Sequence, residues 1–335
     1  MGEERKPRVV TIGGGHGQAA LLAALRPLPC DITAIVSVAD DGGCSGKLRR
    51  DLGMPPPGDL RRCLSTLARD LELAEKFELR LFAPGQEGRC AGNLALSDAF
   101  REYGSLQKAV DWAAELLKCA GRVVPVAESP GVLMVYDRRD GRIEGESRAE
   151  AMSAPMAAMV HGPTQINPVA LEAIRDADTI LMGPGSFFTS TLATVTTANV
   201  AEALVQAKAP KVLLANLSEE GSQTRGYSVE DYVRMMRDHL TIASVGGDVE
   251  FSVLVHAAGP DEVGLLSDGT LCMSACLALV GERVHDPSLL SRALVRHLGL
   301  PPRVRPRSIP PPSSEVGARA FQARLDAARK RLGQG

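Results

Sequence analysis

Val9-Val10-Thr11-Ile12-Gly13-Gly14-Gly15-His16-Gly17 runs straight into Gln18-Ala19-Ala20-Leu21-Leu22-Ala23-Ala24-Leu25. The apolar start reads as a buried strand, the glycines as a turn and the remainder as a helix. Glycine has no Cβ, so its backbone comes within hydrogen-bond reach of a phosphate. The helix behind it offers unpaired N–H groups and the positive end of its dipole. The chemistry is anion binding, with a nucleotide or sugar phosphate as the expected occupant; the alternative is a tight strand-to-helix turn with no ligand. A dinucleotide (NAD-type) fingerprint, GxGxxG, needs a third glycine where Gln18 stands, although Asp40 ends the next strand where a ribose-binding acid belongs. A Walker A loop needs a Lys-Ser/Thr pair, which is absent. His16 is placed either to donate to a phosphate or act as an acid, or simply to point outward.

Two further loops carry chemistry. In Asp40-Asp41-Gly42-Gly43-Cys44-Ser45-Gly46, adjacent carboxylates at a strand end suit a divalent metal on a diphosphate, or ribose hydroxyls. A solvated acidic turn is the plainer alternative. Cys44 and Lys47 add a nucleophile without an assignable histidine and a phosphate counter-charge. Gly183-Pro184-Gly185-Ser186, followed by Thr189-Ser190, makes a second anion cradle with hydroxyl donors, which would otherwise cap a helix. Two cradles on strand ends of one sheet suggest a ligand with two recognition ends. Asp59 reads as the N-cap of the helix that follows Pro57-Gly58, with Arg61 or Arg62 either over a phosphate or solvated. Arg283, His285 and Asp286 lie near the end of the core, and Cys272 and Cys276, at helical spacing, read as packing. No His, Cys and carboxylate set has metal-ligand spacing, and there is no serine triad.

The elements that must position these loops begin with a strand from Arg8 to Ile12, a helix from Gln18 to Leu25 and a strand from Ile32 to Val38. Such a unit implies parallel strands joined by a right-handed crossover, with ligands at the carboxyl edge of the sheet. An amphipathic helix from Leu60 to about Leu73 opens a helical segment reaching Leu117. Val123 to Val126 and Val132 to Asp137 read as strands, the latter in a hairpin closed near Asp140-Gly141. Further strands are expected at Asp178 to Met182, Lys211 to Asn216 and Phe251 to His256. Helices are expected at Ala170 to Asp176, after Ser190 through Leu204, at Tyr232 to His239 and at Leu289 to Leu298. From Pro301 the chain turns rich in Pro, Arg and Ser, a linker before a lone helix at Val316 to Leu332.

With 335 residues, 44% of them hydrophobic, the chain can bury one large α/β core or two ordinary ones. A net charge of -2 and only 4% aromatic residues argue against a nucleic-acid surface. An odd number of cysteines without a CxxC pair, a charged start and no apolar run of about 20 residues point to a reduced, cytoplasmic protein without a membrane span.

Ile12-Gly13-Gly14-Gly15-His16-Gly17, the stretch from Ile32 to Arg49, Pro56-Pro57-Gly58-Asp59-Leu60-Arg61, Gly183-Pro184-Gly185-Ser186 and Gly226-Tyr227-Ser228-Val229 fall in one order. Together they resemble the YvcK (gluconeogenesis factor) branch of the CofD-like, 2-phospho-L-lactate transferase-like family. The resemblance covers most of residues 8 to 300. It implies a three-layer α/β/α, Rossmann-like parallel sheet with a helical segment at about 60–120, filling residues 1–300, and leaves 301–335 as linker and tail. It also implies binding of UDP-sugars, notably UDP-N-acetylglucosamine, and support of cell shape and wall synthesis on gluconeogenic carbon sources. The CofD branch is instead enzymatic: it moves a phospholactyl-type group from an activated nucleotide with magnesium. Histidine stands at position 16 where the family commonly has threonine, Cys44 replaces a serine, and Arg89-Cys90-Ala91-Gly92-Asn93 keeps only the asparagine of an HNxGN-type motif.

The expected ligand set is therefore Gly13, Gly14, Gly15, His16 and Gly17; Asp40, Asp41, Gly42, Gly43 and Ser45; Asp59 and Asn93; Gly183, Pro184, Gly185, Ser186, Thr189 and Ser190; Asn216; and Arg283. Asp40 and Asp41 are also the magnesium candidates, and the catalytic pair if there is turnover. The expected partners are a UDP-sugar or related nucleotide and another copy of the chain; the basic, proline-rich tail reads either as a segment that docks a protein or, as the plainer alternative, as a disordered end.

Overall fold

The computed structural model describes residues 5–42, 46, 53–82, 88–149, 152, 154–162, 165–217 and 223–299. Arg8–Gly13 forms β1, buried from Val9 onward. A strand covered on both faces is what a continuous apolar run predicts for a central parallel strand. The chain turns at Gly14 into helix α1 (Gly15–Leu25) and returns as β2 (Asp31–Val36), parallel to β1. The helix starts earlier than Gln18, so His16 and Gly17 belong to its first turn. Gln18 itself is fully buried, and its Nε2 donates to Thr11 Oγ1 at 3.1 Å and to the Ile35 carbonyl at 3.0 Å. A side chain that ties α1 to β1 and β2 thus fills the place where a dinucleotide fold uses glycine for close helix–strand packing.

The helical segment between residues 60 and 120 is α2 (Gly58–Leu67), α3 (Leu71–Glu78), α4 (Ala91–Tyr103) and α5 (Leu106–Leu116). A two-stranded ribbon, β3 (Arg80–Leu81) and β4 (Arg89–Cys90), separates α3 from α4. The single helix expected to about Leu73 is two helices, because Asp70 caps a new start by accepting from the Leu73 N–H at 3.1 Å. β5 (Arg122–Pro125) then pairs with β2. β6 (Val132–Asp137) and β7 (Gly141–Glu144) form the expected hairpin, turning at Gly141 with φ +70°. With β8 (Pro155–His161) they make a separate antiparallel sheet, and the short helix α6 (Glu146–Ala149) follows β7.

The second half runs through α7 (Pro168–Asp176) and β9 (Thr179–Met182) into a π-helix at Phe187–Leu192 that continues as one α-helical turn, Ala193–Val195. There follow α8 (Val200–Gln206), β10 (Lys211–Leu214), α9 (Val229–Ala243), β11 (Ser252–His256), β12 (Glu262–Leu265), β13 (Leu271–Ala275) and α10 (Pro287–Leu298). β12 and β13 were not expected. Cys272 lies on β13 and Cys276 just beyond it, so their four-residue spacing belongs to a strand and not to a helix. The Gly226-Tyr227-Ser228-Val229 motif starts α9: Ser228 and Asp231 form a reciprocal capping box, and Tyr227 packs edge-on against Phe188 and Tyr232.

Among the described residues the main sheet has eight strands in the order β12-β13-β11-β10-β9-β1-β2-β5, parallel throughout except for β12 on β13. From β1 the chain advances to β2 and β5 on one side; from β9 it advances to β10, β11 and β13 on the other. Right-handed crossovers therefore send the two sets of helices to opposite faces. α1 accordingly packs with α2 and α8 with α7 and α9, while α10, which follows the last strand and is no crossover, packs on α1. The order reverses between β1 and β9, and the crevice outside the carboxyl ends of such strands is where open α/β sheets bind ligands.

Candidate functional site

Gly13 ends β1 and Gly183 follows β9, so the two glycine loops leave adjacent strands at the switch point. They touch. A Cβ on Gly17 would strike the Pro184 carbonyl and lie 2.6 Å from Gly185 Cα, and one on Gly185 would lie 3.1 Å from the Gly14 carbonyl oxygen. Gly15 (φ +67°) and Gly183 (φ +76°) take left-handed backbone that a side chain would strain. The loops form one rim and do not stand at separate ends of a crevice. Ser190 Oγ faces Gly15 across this rim, 3.8 Å from where a Cβ would stand. Thr189 Oγ1 donates to Ser186 Oγ at 2.7 Å.

Asp59 does not cap its own helix. The N-cap position of α2 is Pro57, with no side-chain cap. Asp59 Oδ2 instead accepts from the Gly15 N–H at 2.8 Å, while Oδ1 accepts from Arg62 Nη1 at 2.9 Å. A carboxylate is favourable at the positive end of α1. The protein's own acid thus holds one amide that a phosphate would use, and Arg62 is committed to that acid. Arg61 is 5% exposed; its Nη1 donates to Asn93 Oδ1 at 2.9 Å and its Nε to Glu78 Oε1 at 3.0 Å. Asn93 is itself buried. A Cβ on Gly92 would fall 2.9 Å from Arg61 Cγ, so the Gly92-Asn93 pair packs around this strut. Arg61→Ala would leave Asn93 Oδ1 buried without a partner. The expected loss is about 2–3 kcal/mol, read from the urea midpoint.

A carboxylate basin lies on the β2 side. Asp40 Oδ1 accepts from the Gly42 N–H at 2.7 Å, and Asp41 Oδ1 accepts from the Ser147 N–H at 2.8 Å and Oγ at 2.9 Å. Beside Ser147 stands Glu146, a residue that sequence reasoning missed. Burial, then the charges of Asp40 and Asp59, push its carboxyl up to about 9; a hydrogen bond with Thr189 works against the shift. Glu146 carries a proton at neutral pH. Nothing in a four-residue helix gives a periodic signal, so only the three-dimensional gathering of acids reveals it. Among the described residues, no group of three or more His, Cys, Asp or Glu is arranged to hold a metal ion. Gly43 and Ser45, with Cys44 and Lys47, lie outside the described residues.

On the β10 side the rim opens into a cavity of about 270 Å³ bounded by His16, Gly17, Gly185, Asn216 and Arg283. Asn216 Oδ1 accepts from the Gly185 N–H at 3.4 Å. Burial, then Arg62, pushes the His16 imidazole below its usual value, so it is neutral at physiological pH. The fold therefore gathers residues separated by more than half the chain. Asn93 stands apart in the helical segment as a structural partner of Arg61.

Switch-point topology and paired glycine loops define a doubly wound, Rossmann-like α/β protein. The chain belongs to the CofD family, described as 2-phospho-L-lactate transferase CofD, whose pattern matches residues 9–266. It is 35% identical over 265 residues to the gluconeogenesis factor of Bacillus subtilis, covering 77% of this chain and 82% of that protein. It is 37% identical over 317 residues to a Deinococcus radiodurans protein given the same name provisionally, with 89% and 68% coverage. A Nostoc protein, named likewise, is 38% identical over 269 residues; the match covers 78% of this chain but only 58% of the Nostoc protein's length. The crystal structure of protein BH3568 from Bacillus halodurans superposes with a TM-score of 0.78 at 31% identity, covering 87% of this chain and all of that one. A second crystal structure of BH3568, described as a member of the UPF0052 family, matches equally well, with a TM-score of 0.78 at 30% identity. No helix among the described residues is long and apolar enough to cross a membrane.

Proposed function

We propose that this protein binds a UDP-sugar of the UDP-N-acetylglucosamine type and acts in the cytoplasm as a regulator, supporting cell shape and wall synthesis on gluconeogenic carbon sources. The observation that carries the proposal is the contact of two glycine loops at the switch point, Gly17 against Pro184 and Gly185, beside a ligand-sized cavity. Amides of the two loops and the Ser190 hydroxyl would hold the diphosphate. Asp40 and Asp41 would meet ribose or sugar hydroxyls, and Arg283 would supply positive charge. The all-oxygen donors of the basin fit magnesium; Asp40 and Asp41 would hold it jointly with the phosphates, whose charge it would neutralise. The relatives' shared name, gluconeogenesis factor, supports a role in growth on gluconeogenic carbon sources. Calorimetry with UDP-N-acetylglucosamine is expected to show binding. Absence of heat with every UDP-sugar up to millimolar ligand would remove the proposal.

A second reading, a magnesium-dependent transferase of the CofD type, is favoured by the proton on Glu146 beside Asp40 and Asp41. Group transfer from a nucleotide-diphospho donor that vanishes in Asp41→Asn would support it. A thermal-shift panel of UDP-sugars, GDP, NAD and magnesium separates these readings and an NAD module, because each ligand stabilises only the protein it binds.

A further inference from the structure

The opposite end of the main sheet holds a cleft that nothing above uses. Lys211 opens β10, Ser252 opens β11 and Leu271 opens β13. These strands are parallel, so the cleft, of about 730 Å³, lies at their amino ends, away from the glycine rim at the carboxyl ends. A volume of that order suits a small molecule.

Two cations in its wall keep donors that the protein does not use. Lys211 is 8% exposed and forms no ion pair among the described residues. Its Nζ donates to the Ala207 carbonyl at 2.7 Å and to the Ala209 carbonyl at 3.1 Å, which closes the end of α8. An ammonium has three donors, so this capping role leaves one over. Burial pulls the Lys211 ammonium below its usual value, and Glu250 offsets part of the shift. Lysine is rarely buried without an acid, and an anion in the cleft would supply one. Arg237 lies over the Phe251 ring, 5.4 Å from its centroid. Its Nη2 donates to Thr270 Oγ1 at 2.9 Å and to Asp268 Oδ2 at 3.3 Å. The ring and these two bonds fix the guanidinium in advance, while Nε and Nη1 have no hydrogen-bond acceptor among the described residues.

The rest of the lining narrows the chemistry. Asp268 is already engaged: Oδ1 accepts from the Thr270 N–H at 2.9 Å and Oδ2 from Arg237. Asp248 stands 3.9 Å from Arg237 Nη1, and both Asp248 and Glu250 are exposed at the rim. Three acids around the cleft disfavour a doubly charged anion and leave room for a singly charged one. Leu204, Val205 and Leu271 add apolar wall, the last two open to solvent.

We propose that this cleft is a second small-molecule site and that it takes an aliphatic monocarboxylate. The head accepts from Lys211 Nζ and from Arg237 Nε and Nη1; the chain lies on Leu204, Val205 and Leu271. The site stands apart from the glycine rim and does not depend on the nucleotide-sugar reading.

Calorimetry on the full chain tests it with hexanoate, hexanol and hexylammonium, one chain with three heads. Hexanoate is expected to bind at least about 10-fold more tightly than either, because charge-assisted hydrogen bonds hold only its head. Lys211→Met, which keeps the stem, and Arg237→Gln should each weaken hexanoate about 10-fold and leave hexanol unchanged. Were Lys211→Met not to fold, the partly exposed Arg237→Gln and the three heads on the unaltered protein decide. If hexanol matches hexanoate, or hexylammonium binds best, the cleft does not select a carboxylate and the proposal is overturned. It is overturned as well if hexanoate gives no heat up to about 10 mM, or binds the folded variants as it binds the parent. None of these outcomes bears on UDP-N-acetylglucosamine, whose binding is measured separately.

Discussion

Gly17→Ala is expected to lower stability by about 1–3 kcal/mol and to abolish nucleotide-sugar binding. Gly17 sits in the first turn of α1, where alanine would by itself gain about 1 kcal/mol of helix propensity. The gain is outweighed because the new methyl group meets backbone. It would strike the Pro184 carbonyl and lie 2.6 Å from Gly185 Cα, and no rotamer change moves either atom. The two loops must part, and with them the N–H groups that share one rim. Gly259→Ala is the matched control: it has open space around it and ordinary backbone, and should stay within about 0.5 kcal/mol. Urea midpoints read the first effect and calorimetry with UDP-N-acetylglucosamine the second. A Gly17→Ala protein as stable as its parent would mean that the loops do not close on each other.

The glycine loops were legible because each follows an apolar run and precedes a helix, so strand, turn and helix all point to the same local structure. Their contact was not legible, since it depends on β1 and β9 lying side by side although Gly13 and Gly183 are far apart in sequence. Asp59 shows why local rules misassign polar residues. It sits where an N-cap belongs, yet a free amide at Gly15, distant in sequence, competes for the same carboxylate and wins. Arg61 and Asn93 looked like ligand residues by type and position; burial turns them into a strut between α2 and α4. β12 escaped notice because all of its residues are exposed at the sheet edge, leaving no apolar alternation to read. The spacing of Cys272 and Cys276 fits a strand as well as a helix, because positions four apart share a face in both. Glu146 and His285 carry no motif. Their character comes from burial and neighbours, which exist only once the chain has folded.

Those two residues make stability respond to pH in opposite senses. His239 and His285 are held neutral in the folded protein: His239 Nδ1–H donates to the Met235 carbonyl at 2.7 Å and its Nε2 accepts from the Ala158 N–H at 2.9 Å. Burial lowers both imidazoles from their usual 6.5. The unfolded chain therefore binds more protons just below that value, and stability rises with pH. This contribution is complete above about 6.5 and is lost as pH falls, for His285 toward about 4. Glu146 works the other way. Its folded value of about 9 lies above the unfolded 4.5, so its contribution is complete in acid and is lost as pH rises through about 9. Between pH 6.5 and 9 the histidines no longer titrate, and the Glu146 proton should tilt stability downward by up to about 1.4 kcal/mol per pH unit. Glu146→Gln keeps a hydrogen-bonding group that cannot ionise. It should flatten this alkaline arm and steepen the acid arm between about 4.5 and 6.5, where its titration opposes that of the histidines, as read from urea titrations at a series of pH values in the presence of a chelator. A parent protein already flat above pH 6.5 would mean that Glu146 is ionised there. The basin of Asp40, Asp41 and Glu146 would then gather three carboxylates with no proton between them, and a bound cation would be needed to hold them together.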